Sequence, residues 1–194
     1  SASLGGAPGV VDALSFLARV KAGELTALTG CAAVLGGGNT AVDAAVTARK
    51  LGAEEVYLIY RRSYLQMPAW EEDRQHLLRS GVTPLFLAQP LGYEITDGEL
   101  SGLRLVRTEL GPPDASGRRR PQAVPGSESI LAVTMAIEAM GQEIPADLRA
   151  ALGDLADGAA RVKTRPGSSA TPMADVFAGD RKSTRLNSSH GIIG

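Results

Sequence analysis

The sequence predicts an α/β domain built on a parallel sheet, with an antiparallel β-meander inserted before the last core strand. Three observations predict it. A short apolar run, Cys31 to Leu35, ends in three consecutive glycines and leads into a helical pattern, Asn39 to Leu51, and then a second apolar run, Glu55 to Arg61. The helix–strand alternation repeats once more, through Ala69 to Ser80 and Thr83 to Ala88. Beyond Tyr93 the periodicity shortens into strands separated by turn residues.

Taken in order, residues 1–8 are small and glycine-rich, and Gly9 to Lys21 carries apolar residues at Val10, Val11, Leu14, Leu17 and Val20, the spacing of an amphipathic helix. A helix is therefore expected before the first strand. Cys31 to Leu35 is that strand. Gly52 closes the helix that follows, and a strand–helix–strand unit of this length is expected to make a right-handed parallel crossover. Gly81 ends the next helix. The meander is read from Gly92 to Thr96, Gly102 to Leu110 and Gln122 to Val124, with Ile130 to Met140 returning to the core. Gly111 to Gly117 is a turn by composition, and the arginines 118–120 after it read as a solvated strand edge. Ala146 to Ala156 is expected as a short surface helix and Gly167 to Ala174 as a loop before a strand-like Asp175 to Ala178. The tail, 181–194, lacks apolar periodicity and resembles a translated adapter sequence, so it is expected to be non-native.

Composition narrows the function classes. The formal net charge is −1 with acids and bases mixed along the chain, which gives no footprint for nucleic acid or an anionic membrane. Apolar runs are strand-length, far below a membrane span, and no secretory leader pattern opens the chain, so a cytoplasmic location is expected. The single cysteine, Cys31, excludes an internal disulfide or a cysteine-ligated iron–sulfur cluster in this chain, and is expected to pack as a small hydrophobe. Two histidines in unrelated segments offer no metal cluster. His76 is expected on an exposed helix face, and Met67 and Trp70 are expected to pack.

The chemistry is concentrated at Gly36-Gly37-Gly38-Asn39-Thr40-Ala41, a G-x-G-x-x-A pattern lying after a strand and opening a helix. Gly36 permits the tight turn, Gly38 lets a pyrophosphate approach the backbone, and Ala41 lets the helix sit close to the sheet. This is the dinucleotide fingerprint of a Rossmann-like domain. At the end of the second strand, roughly twenty residues on, an NAD-selective site would carry a carboxylate for the ribose 2′-hydroxyl. Here the strand ends in Arg61 and Arg62, which suit a 2′-phosphate and hence NADPH. No Y-x-x-x-K pair is present, which argues against a dehydrogenase with its own proton donor. No catalytic acid, base or nucleophile stands out, as hydride chemistry between cofactors allows.

These motifs resemble the glutamate synthase small-subunit and dihydropyrimidine dehydrogenase group of flavoproteins. The resemblance rests on Gly36 to Ala41, Tyr60 to Ser63 and Met67 to Ala69, and continues through Glu109 to Pro121, Pro125 to Glu128, Ala139 to Gln142 and Val176 to Asp180. It implies a glutathione-reductase-type fold in which NADPH reduces FAD and electrons pass to iron–sulfur clusters and a partner, the large (alpha) subunit of glutamate synthase or another iron–sulfur redox protein. By matching positions it implies NADPH contacts at Gly36, Gly38, Asn39, Thr40, Ala41, Arg61 and Arg62, a turn near the nicotinamide at Gly141 and Gln142, and an FAD-contacting pair at Gly179 and Asp180. The expected division is 1–30 as linker and helix from an FAD domain, 31–145 as the NAD(P)H-binding domain, 146–180 as a return segment toward the FAD domain, and 181–194 as the foreign tail. The FAD fingerprint and cysteine-rich region of that group are not in this sequence, so most FAD contacts and all clusters are expected outside it, and a nucleotide-binding module without independent turnover is the alternative. Glu138, an acid in the apolar strand before Ala139, has no explanation from the sequence.

Overall fold

The structure, a computed structural model, describes residues 7–115, 117–141, 150, 153–155, 162–165 and 168–178. Residues 1–142 and 143–194 form two compact units. In the first unit the elements run β1 (Val10–Asp12), α1 (Ala13–Lys21), β2 (Cys31–Leu35), α2 (Asn39–Lys50), β3 (Glu55–Tyr60), a 3-10 turn (Tyr64–Gln66), α3 (Glu71–Arg79) and β4 (Thr83–Phe86). They continue as β5 (Ala88–Thr96), β6 (Glu99–Pro113), β7 (Arg119–Ala123), β8 (Ser129–Leu131) and β9 (Met135–Glu138).

Five strands form a parallel sheet in the order β1-β9-β2-β3-β4, and β5, β6, β7 and β8 form an antiparallel sheet centred on β6. The period-two alternation of β2 explains the layering. Ala32 and Val34 face the helices together with Val56, Leu58, Phe16 and Leu77, whereas Ala33 and Leu35 face Leu100, Leu103 and Leu105 of β6. Both faces of the strand are therefore dry, which is why it reads as an unbroken apolar run. Among the described residues, the second face is covered by the antiparallel sheet.

Several expectations need correction. The helix foreseen over Gly9 to Lys21 starts only at Ala13, because the β-branched pair Val10-Val11 extends the parallel sheet beside β9. Asp12 then caps the helix: its carboxylate oxygens accept from the backbone N–H groups of Leu14 and Ser15, each at 3.0 Å. The hydrogen bond from the Ser15 side chain, joined by those two backbone bonds, outweighs partial burial and holds the Asp12 carboxyl below its usual range. A carboxyl with a depressed folded-state value stabilises above its unfolded value and loses that contribution as pH falls through the folded one. Asp12→Ala is expected to cost about 1 kcal/mol at neutral pH, with the difference from the parent chain shrinking in acid, as read by denaturant melts across pH.

The strand foreseen through Ala88 breaks at Leu87, whose φ of +55° swings the chain from one sheet into the other. Likewise the run Ile130 to Met140 divides, β8 pairing with β6 and β9 returning to the parallel sheet after Thr134, whose N–H donates to the Cys31 carbonyl at 2.9 Å. Strand β6 runs through Pro113, so only Asp114 onward makes the turn placed over Gly111 to Gly117.

In the second unit, a 3-10 turn occupies Gly153–Leu155, and an isolated antiparallel bridge, Ala170 with Phe177, stands where a strand-like segment is expected at Asp175 to Ala178. Thr171, in the loop that this bridge closes, donates its hydroxyl to the Met173 carbonyl at 3.3 Å. The tail at 181–194 lies outside the described residues.

Candidate nucleotide-binding site

Sequence fixes the glycine loop by exclusion of side chains. Gly36 adopts φ +151°, and a Cβ there would lie 2.5 Å from the carbonyl oxygen of Ala139, just beyond the neighbouring strand β9. At Gly37 a Cβ would stand 2.5 Å from the Tyr60 ring, while a Cβ at Gly38 would meet no protein atom within 4 Å. The first two glycines thus serve packing, and the third faces open space. Gly38 caps α2 without a side-chain hydrogen bond, so the helix N-terminus presents its backbone to that space. Ala41, Ala44, Ala45 and Ala48 are wholly buried against the sheet, which lets α2 approach it closely. Thr40 is half-buried in the first turn, and the Asn39 side-chain amide donates to the Asp73 carboxylate, tying α2 to α3.

Arg61 and Arg62 follow β3 on the same carboxyl edge of the sheet, where ligands of open α/β folds bind. Their backbone is braced from the second sheet. Thr108, 4% exposed, donates its hydroxyl to the Arg61 carbonyl at 2.8 Å; Leu87 N–H donates to the Arg62 carbonyl at 3.1 Å; and Thr108 N–H donates to the Leu87 carbonyl at 2.7 Å. Tyr60 seals the inner side, its ring against Gly37 and its hydroxyl donating to the Gln66 carbonyl at 2.7 Å. Burial pushes the Tyr60 hydroxyl up, and Arg62, Arg61 and Arg118 oppose that rise. A cleft of about 420 Å³ opens between Arg61, Arg62, Gln89, Asp114, Arg118 and Arg120. Arg118 and Arg120 were expected as a plain solvated edge. Both are exposed, as expected, and both also line this cleft, a juxtaposition that depends on how the β6–β7 hairpin packs.

Gly141, at φ +97°, leaves β9 on the same edge, its strand touching the Gly36 turn through Ala139. Gln142, Gly179 and Asp180 lie outside the described residues. Glu138 acquires a partner the sequence did not reveal: the Tyr93 hydroxyl donates to its Oε1 at 2.6 Å, linking the two sheets. Burial first, then this bond and the Glu138 charge, push the Tyr93 hydroxyl far up, so it remains a donor throughout the working pH range.

His76 is exposed and Met67 buried, as expected. Trp70 is 43% exposed, because it stands at the N-cap of α3, before the face that buries Leu77 begins. Cys31 is half-buried against the second core cluster, its thiol pushed up by burial and then by Glu55 and Glu54. Among the described residues no group of three or more potential metal ligands occurs, and no helix is long and apolar enough to cross a membrane.

The family described as "Pyridine nucleotide-disulphide oxidoreductase" matches residues 2–180. The chain belongs to that family. Within the pyridine nucleotide-disulphide oxidoreductases, the NADP(+)-dependent formate dehydrogenase subunit beta of Moorella thermoacetica is 39% identical over 173 residues, covering 88% of this chain and 24% of the relative. The glutamate synthase (NADPH) small chain of Escherichia coli is 44% identical over 109 residues, covering 56% of this chain and 23% of the relative. The chain therefore spans about a quarter of the length of these two relatives. The thioredoxin reductase of Lactococcus lactis matches in fold, with a TM-score of 0.64 at 18% identity over 88% of this chain and 48% of that one. The expected Rossmann-like architecture of the family, a parallel nucleotide-binding sheet with an antiparallel insertion, is the one found.

Proposed function

We propose that this chain is the NADPH-binding half of an FAD-dependent oxidoreductase in which hydride passes from NADPH to FAD and electrons continue to iron–sulfur clusters of the parent assembly. The observation that carries the reading is the carboxyl edge of the parallel sheet, where the open face of Gly38 follows β2 and the arginine pair follows the neighbouring parallel strand β3. The residues fit the nucleotide. Gly38 leaves room for a pyrophosphate at the start of α2, Arg61 and Arg62 supply positive charge for a 2′-phosphate, and the buried Arg62 Nε has no hydrogen-bond partner among the described groups.

When bound, the nicotinamide and flavin supply the redox chemistry; the protein's own part is binding and orientation. Gly36 and Ala139 fix where the loop stands against β9, and Gly141, with Gln142 beyond it, would shape the nicotinamide end. Gly179 and Asp180 would contact FAD, most of which a domain beyond this sequence would hold. Resemblance and relatives favour the glutamate synthase small (beta) subunit, with the large (alpha) subunit as partner, in the cytoplasm. The relative named for formate dehydrogenase supports a second reading, the electron-input module of another iron–sulfur flavoprotein. A third is a nucleotide-binding module without independent turnover.

Calorimetric titration with NADPH and NADH, together with an absorbance scan for co-purified flavin, tests the proposal. Preferential NADPH binding is expected. Absence of binding to either nucleotide would defeat it, and flavin bleached by NADPH would exclude the module without turnover.

A further inference from the structure

The β6–β7 hairpin carries an arginine run whose members have different tasks. Strand geometry sends alternate side chains to opposite faces. Arg119 turns back across its own hairpin, donating from Nε to the Gly111 carbonyl at 2.8 Å and from its terminal nitrogen to the Leu110 carbonyl at 3.1 Å. Arg118 and Arg120 face the other way and line the cleft that Arg61 and Arg62 line from β3.

The hairpin tip is built to hold them there. Arg118 N–H donates to Asp114 Oδ1 at 3.0 Å, Asp114 N–H to the Arg118 carbonyl at 2.8 Å, and Gly117 N–H to the Asp114 carbonyl at 2.8 Å. The other carboxylate oxygen of Asp114 stands 3.9 Å from Arg120 Nε. Among the described residues, four arginines and one carboxylate thus line one cleft. Like charges gathered around low-dielectric walls repel one another unless an anion joins them. Of these four arginines Arg62 is half-buried and the other three exposed, so its charge is the least screened by solvent.

We propose that Arg118 and Arg120 are specificity-determining residues for the nucleotide, completing with Arg61 and Arg62 a cradle for the ribose 2′-phosphomonoester. The inference rests on the NADPH reading above and deepens it. The glycine loop accounts for the pyrophosphate, so the anion left for a cleft at the end of β3 is the 2′-phosphate, the group that distinguishes NADPH from NADH. Sequence motifs after β3 are then only half of the selectivity device, the other half arriving from a hairpin some sixty residues later in the chain (Arg61 to Arg120).

The test is calorimetry on the full chain with NADPH, NADH and adenosine 2′-monophosphate, comparing the parent protein with R118A/R120A and R61A/R62A. For R118A/R120A the affinities for NADPH and adenosine 2′-monophosphate should fall about tenfold to a hundredfold, with a shallower salt dependence, while NADH is unchanged. Should hairpin variants leave NADPH affinity intact, or weaken NADH equally, while R61A/R62A still discriminates, the hairpin has no part in selectivity and the NADPH reading stands alone. A parent chain without preference for the 2′-phosphate would remove both. If R118A/R120A lowers the melting temperature, R118Q/R120Q keeps side-chain length without charge and answers the same question: retained NADPH preference overturns the proposal, and its loss supports it.

Discussion

Gly36→Ala is expected to destabilise the protein by about 2–4 kcal/mol and to remove nucleotide binding, whereas Gly38→Ala should cost less than about 1 kcal/mol and still remove binding. The contrast follows from what each new methyl would meet. At Gly36 it would lie 2.5 Å from the Ala139 oxygen and 3.0 Å from the Ala139 carbonyl carbon, both backbone atoms of the chain leaving β9, and φ of +151° adds strain of its own. Nothing there can step aside without parting β2 from β9. At Gly38 the methyl would meet no protein atom, and φ −87°, ψ 176° is open to any residue, so the fold is indifferent. Only the approach of a pyrophosphate would be blocked. Denaturant melts and nucleotide titration on both variants separate the effects; a Gly38→Ala protein that binds NADPH normally would show that the phosphates lie elsewhere.

The second large effect is expected from R61A/R62A, which should weaken NADPH about a hundredfold or more while leaving NADH within a few-fold. Arg61 is exposed and Arg62 half-buried, so the two will not contribute equally. Arg62 is expected to be the larger contributor, because its half-buried side chain has less solvation left to lose on binding. Single variants measured beside the double one would give the order. Equal losses for both nucleotides would remove the argument for selectivity.

The parts of this molecule legible in the sequence are those governed by local rules. Cys31 to Leu35, the glycine turn and the helix after it combine a buried strand, a backbone that excludes side chains and a 3.6-residue period, each readable within a dozen positions. Residues whose roles depend on distant partners were not legible. Val10 and Val11 fit a helix face as well as a strand, and only pairing with β9, more than a hundred residues away, decides between them. Glu138 looked like a misplaced charge until Tyr93 approached from the other sheet. Arg118 and Arg120 are solvated edge residues, as read, but nothing nearby in sequence announces that their hairpin folds beside the end of β3.

The brace at Leu87 and Thr108 gives the arginine segment a mechanical property that its surface position would not suggest. Three hydrogen bonds link the backbone after β3 to β6, one directly from Thr108 and two relayed through Leu87, and β6 is the central strand of the antiparallel sheet. Amide protons there can exchange with solvent only when that attachment opens. The arginine segment is therefore expected to unfold with the second sheet, and deuterium uptake at Leu87 and Thr108 should track that of the β6 core at Leu103 and Leu105 instead of the fast uptake usual for a loop.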